Sequence, residues 1–129
     1  MDISIKTIPM KEMRYKTIGD WWFDEYGNIE IRVAELGDWK LEAIVYIHEL
    51  VEILLCKFKG ITQKQVDDFD MSEYGLSLEE PGLDLKAPYF EQHAIALKVE
   101  ELLYKELDVN VDEFEDKMGE VIDTYDSGL

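Results

Sequence analysis

Residues 48–52 read His-Glu-Leu-Val-Glu, inside a long segment whose apolar residues recur at helical spacing. On a helix, positions four apart stand one above the other on the same face. His48 and Glu52 can therefore address one common ion, with Glu49 on the neighbouring arc. An imidazole and a carboxylate one turn apart are two ligands for a divalent metal. A second carboxylate beside them is placed to act as general base on water. The chemistry on offer is metal-assisted hydrolysis.

A catalytic zinc site takes three protein ligands and keeps one position open. The only histidine besides His48 is His93, which falls on a second apolar-periodic segment. His48, Glu52 and His93 are thus the candidate ligands of a zinc or other divalent ion, with Glu49 as the candidate base. Glu100, two turns beyond His93 on the same face, can replace a ligand or hydrogen-bond a ligating imidazole. Cys56 lies nearly on the His48 face and reads either as a further ligand or as a small buried hydrophobe.

Plainer readings compete with these. A buried histidine is often a hydrogen-bonded core residue, and Glu49 with Glu52 can be a solvated helix face. Context favours the metal: His48 and Glu52 share a stripe with Leu41, Ile44, Val45, Val51 and Leu55, where an unpaired carboxylate is costly. Asp67, Asp68, Asp70 and Glu73 form an acidic run without the glycine and ligand spacing of an EF-hand loop. Trp21, Trp22 and Trp39 read as core and hairpin packing.

The elements that must hold these residues divide the chain into a β part, residues 1–36, and a helical part, residues 38–125. Ile3, Ile5 and Ile8 open a strand that Pro9 closes or places at a sheet edge. Residues 15–23 are rich in strand formers. They are followed by a turn at residues 24–28 and by Ile29, Ile31 and Val33 alternating with polar neighbours, which predicts a hairpin. The expectation is a small antiparallel sheet packed on three to four helices. Asp38 caps the first helix and Gly60 stops it. Thr62 to Gln65 is a capping box that starts a short helix. Residues 70–87 show no clear period and form a long loop, a frequent home of function. Pro88 suits the first turn of the helix that carries His93, and Asn110 with Glu113 caps the last.

A chain of 129 residues, 47% of them hydrophobic, is expected to be one α+β domain with a core of its own. Its net charge of −17 speaks against nucleic acid and anionic membrane surfaces as partners. No stretch approaches the ~20 apolar residues of a membrane span. A lone cysteine and an N-terminus without a basic-then-apolar pattern predict a cytoplasmic protein.

A hairpin, a strand of type Ile29-Glu30-Ile31-Arg32-Val33 and a core helix bearing His-Glu-Leu-Val-Glu together resemble the minimal zincin-like metallopeptidases. They are similar above all to small phage and bacterial proteins with such a helix and a later histidine-bearing one. The resemblance covers about residues 15–105 and departs from the usual motif in having Glu52 where a second histidine is common. It implies zinc at His48 and Glu52, Glu49 as base, and an edge strand beside the cleft where an extended peptide adds by strand pairing. Two rival functions remain. One is a non-catalytic structural or interaction protein on a degenerate core of this type. The other is a magnesium-dependent nucleotide pyrophosphohydrolase, with Glu49 and Glu52 as one carboxylate pair and Glu113 and Asp116 as a second.

Overall fold

The computed structural model describes residues 1–126. Three strands, β1 (Ile3–Ile8), β2 (Gly19–Phe23) and β3 (Ile29–Ala34), precede five helices: α1 (Trp39–Lys59), α2 (Gln63–Asp70), α3 (Glu73–Leu76), α4 (Phe90–Glu106) and α5 (Val111–Asp123). The expected α+β architecture is present, a small N-terminal sheet packed against helices. Among the described residues no helix is long and apolar enough to cross a membrane.

The sheet order is β1-β3-β2. β2 and β3 form the expected antiparallel hairpin, with Trp21 opposite Ile31. β1 instead runs parallel to β3, Ile5 opposite Ile31, so the sheet is mixed rather than antiparallel throughout. The physical reason lies in residues 9–18. Met10, Met13 and Ile18 are buried in the core, and burying them draws this segment across the sheet. It delivers β2 to the far side of β3 instead of turning it back on β1. For the same reason β2 starts at Gly19, later than strand propensity suggested. β3, paired on both sides, buries Ile29, Ile31 and Val33 completely.

α1 is bounded as its sequence predicts. The Asp38 side chain accepts from Lys40 N–H at 2.9 Å. Gly60 takes the left-handed conformation (φ 73°) that ends the helix. Ile44 and Ile53, fully buried, fix its inner face. His48, Glu52 and Cys56 lie on buried positions of the same helix, and α1 packs along α4 and against β2 and β3.

The capping box at Thr62 and Gln65 starts α2, and the Asn110 side chain caps α5 by accepting from Glu113 N–H at 3.0 Å. The segment expected as one long loop carries α3 and a single 3-10 turn at Pro81–Leu83. α4 begins at Phe90, past Pro88, which lies in the preceding turn. Its N-terminal residue Tyr89 offers no side-chain cap. The ring of Tyr89 is buried instead, 6.3 Å from the ring of His93.

Candidate metal centre

α1 supplies His48 and Glu52 from successive turns of its buried face, and α4 supplies His93 across the helix–helix contact. The three side chains converge. His48 Nε2 lies 3.1 Å from Glu52 Oε2 and 3.1 Å from His93 Nδ1. His93 Nδ1 lies 2.8 Å from the same Glu52 oxygen. All three residues are buried, at 5–7% exposure. Among the described residues this is the one group of His, Cys, Asp and Glu side chains that meets so closely.

Two protonated imidazoles beside an ionised Glu52 do not satisfy this triangle. With both imidazoles donating to Glu52, the two ring nitrogens face each other as donors across 3.1 Å. A cation at the centre receives a lone pair from each of the three atoms. Ligand atoms of a tetrahedral zinc stand about 3.3 Å apart, so opening the triangle by a few tenths of an ångström makes room. The residues present therefore fit a divalent ion, and the donor set of two imidazoles and a carboxylate is one that zinc takes.

Each of the three side chains is held from behind. Trp21 on β2 donates its indole N–H to Glu52 Oε1 at 2.9 Å, which leaves Oε2 for the centre. Glu80 Oε1 receives His93 Nε2 at 2.8 Å, so the other nitrogen of that ring turns inward. Glu100 Oε1 lies 2.7 Å from His48 Nδ1, in a contact too oblique for a regular hydrogen bond. Coulombic attraction does not depend on that angle, and the carboxylate is held in place by Tyr104, whose hydroxyl donates to Glu100 Oε2 at 2.6 Å. Carboxylates behind ligating imidazoles and a donor behind a ligating carboxylate are what orient metal ligands and set their basicity. Glu100 does stand behind an imidazole, as its spacing allowed, but behind His48 on the neighbouring helix rather than His93 on its own.

The electrostatics follow from burial among carboxylates. Burial alone would lower the pKa of His48, but the contacts with Glu100 and Glu52 outweigh it and raise it to about 11. His93 is likewise opposed by burial and raised by Glu52 and Glu80 to about 9. Glu52, which burial would raise, is brought down to about 2 by the two imidazoles. Without a metal, the site holds protons where the ion would sit.

Glu49 faces the same cleft. Its carboxyl is pushed well above the usual range, first by burial and then by the charge of Glu52. Its side chain has no hydrogen-bond or ion-pair partner among the described residues. It lies over Gly19 of β2, where an added Cβ would come within 2.4 Å of Glu49 Oε1. A similar fit holds the third candidate ligand: a Cβ on Gly82 would come within 2.4 Å of His93 Cγ.

Other residues singled out in the sequence are elsewhere. Cys56 is fully buried in the apolar core, its thiol pushed up to about 12 by burial. The acidic run disperses: Asp67 pairs with Arg14, Asp68 with Lys64, and Asp70 accepts from the hydroxyls of Tyr15 and Tyr89. Trp22 stacks under Arg14 and Arg32, and Trp39 is exposed. Glu113 and Asp116 do not line the cleft that holds Glu49 and Glu52, so the second carboxylate pair of a pyrophosphohydrolase is not brought to the first. The roles of Trp21, Glu80, Gly82 and Tyr104 carry no local signature in the sequence. The one available signal was Glu79-Glu80-Pro81-Gly82 inside a segment too long to be idle.

No protein-family model, curated protein or solved structure matches this chain.

Proposed function

We propose that this protein is a zinc-dependent hydrolase of the zincin-like metallopeptidase type, with His48, Glu52 and His93 holding the ion and Glu49 as general base. The observation that carries the reading is the closed triangle of three ligand atoms, each backed by its own partner. Zinc, when bound, supplies Lewis acidity toward a carbonyl and toward water. Glu49, unpaired and raised in pKa, is suited to take a proton from the attacking water as it adds to the peptide carbonyl carbon. As the C–N bond breaks, the same carboxyl hands that proton to the departing amine. Trp21, Glu80 and Glu100 keep the ligands aimed.

A peptide is the substrate class that suits the cleft. At about 1420 Å³ the cleft is larger than the ~300–1,000 Å³ typical of small-molecule pockets. β2 is an edge strand along one wall. Ile18 C=O and Asp24 N–H already bond to β3 and its turn, so by antiparallel alternation the backbone groups of Gly19, Trp21 and Phe23 face outward. Gly19 C=O accepts from Thr17 Oγ1 at 2.8 Å, and Phe23 N–H donates to Gln63 at 2.9 Å. Strand pairing with a substrate is therefore confined to a short stretch around Trp21.

The test is hydrolysis of a mixed peptide library by the zinc-loaded protein and by Glu49→Gln. Zinc-dependent cleavage by the first and a loss of about 100-fold or more in the second support the reading. Equal cleavage by both, or none by either, contradicts it.

A further inference from the structure

The cleft is far more acidic than the chain. Overall, 30 acidic residues face 13 basic ones. Among the lining residues eleven are acidic, and besides the two histidines of the triangle Lys16 is the one basic residue; Lys16 is held by Asp126. Several of these carboxylates are engaged: Glu52, Glu80 and Glu100 at the histidines, Asp20 with Arg14, and Asp70 under two tyrosines. Four are not. Glu79, Glu101, Glu115 and Asp123 line the cleft, and their side chains have no hydrogen bond or close ion pair among the described residues; of the four, Asp123 alone feels the charge of Lys16.

Glu101 lies one residue past Glu100, the residue that backs His48, while Glu115 and Asp123 belong to α5 and Glu79 to the segment that delivers Glu80 to His93. Free negative charge is thus arrayed along the walls that lead to the triangle. A groove lined by one sign of charge concentrates ligands of the other sign and raises their rate of encounter. Like charge brought into it is rejected. With strand pairing limited to the neighbourhood of Trp21, side-chain charge has to supply much of the grip on an extended chain.

We propose that the cleft selects cationic peptides, with lysine or arginine side chains of the substrate seated against Glu101 and Glu115. The choice of a peptide rests on the metallopeptidase reading; the choice of charge rests on the lining alone. A neutral or acidic segment of equal length is discriminated against.

The test is fluorescence anisotropy at physiological salt on zinc-equilibrated Glu49→Gln protein, which keeps the probe intact. The probes are a labelled lysine-rich peptide, its alanine-substituted counterpart and a glutamate-rich one. The lysine-rich probe is expected to bind at least about tenfold tighter than the other two. The double variant Glu101→Lys, Glu115→Lys removes that preference, while Glu106→Lys, an equal kind of charge change at an exposed position outside the cleft, shifts it less than about twofold. Equal binding of the probes, no binding of any, or a Glu106→Lys effect as large as half that of the double variant overturns the proposal. Cleavage by the wild-type protein is scored separately. Charge-selective binding without cleavage refutes the peptidase reading and leaves the cation-selecting groove standing. Cleavage without charge preference does the reverse.

Discussion

Trp21 donates its indole N–H to Glu52 Oε1 at 2.9 Å, and so ties the sheet to the helix that carries two of the three candidate ligands. The bond is buried at both ends. It assigns one oxygen of Glu52 to the sheet and the other to the histidines.

Trp21→Phe keeps an aromatic ring at the β2–α1 contact but leaves Glu52 Oε1 without its donor. Losing such a partner weakens metal sites about 10–100-fold. The expected result is a zinc affinity lower by that factor, read by competition with a chromophoric chelator, with about 1–3 kcal/mol lost from the stability of the metal-free protein. Unchanged affinity would mean that Trp21 only packs.

Gly82→Ala and Gly19→Ala separate the candidate ligand His93 from the candidate base Glu49. A methyl on Gly82 meets the His93 ring, and one on Gly19 meets Glu49 Oε1 and Val45 Cγ1. Gly82→Ala should weaken zinc binding, whereas Gly19→Ala should leave zinc binding within a few-fold and lower hydrolysis. Parallel titrations and turnover assays on the two variants show whether the effects separate in this way.

The pH response of the metal-free protein has a definite sign. His48 and His93 are raised to about 11 and about 9 from 6.5. Their contribution to stability is fully present below pH 6.5 and is lost as pH climbs through 9 and 11. Glu52 is lowered to about 2 from 4.5, so its contribution is present above pH 4.5 and lost as pH falls toward 2. The melting temperature without metal should therefore peak between pH 4.5 and 6.5 as far as these three groups decide it. A maximum at alkaline pH would contradict the charge assignments.

Zinc binding should show the opposite slope. The imidazoles must give up the protons that occupy the centre, so loading releases about two protons near neutrality and affinity rises with pH. Calorimetry in buffers of different ionisation enthalpy counts them. Zinc at a thousand times its Kd should stabilise the fold by about 4 kcal/mol. Binding without proton release would place the ion elsewhere.

Much of the site was legible because it depends on local spacing. A helix from Asp38 to Gly60 puts His48 and Glu52 on one face whatever surrounds it, and a second apolar helix with the remaining histidine had one natural place to pack. What was not legible depends on the path of the chain between elements. β1 lies parallel to β3 because Met10, Met13 and Ile18 are buried in the connection, which strand periodicity does not record. Glu80 reaches His93 from an aperiodic segment, and Gly82 fits the ring by lacking a side chain. Glu100 carried the right spacing, but which histidine it serves depends on how α4 lies against α1. Trp21 read as a packing residue because burial and hydrogen bonding of an indole look alike in sequence.

The most direct test of the account is the metal content of the protein, purified without a histidine tag or chelator and equilibrated with zinc, beside His48→Ala and His93→Ala. About one zinc per chain is expected in the wild type, lost in both variants while their helical circular dichroism persists. A wild-type chain that takes up no metal, or variants that keep it, would contradict the centre formed by His48, Glu52 and His93.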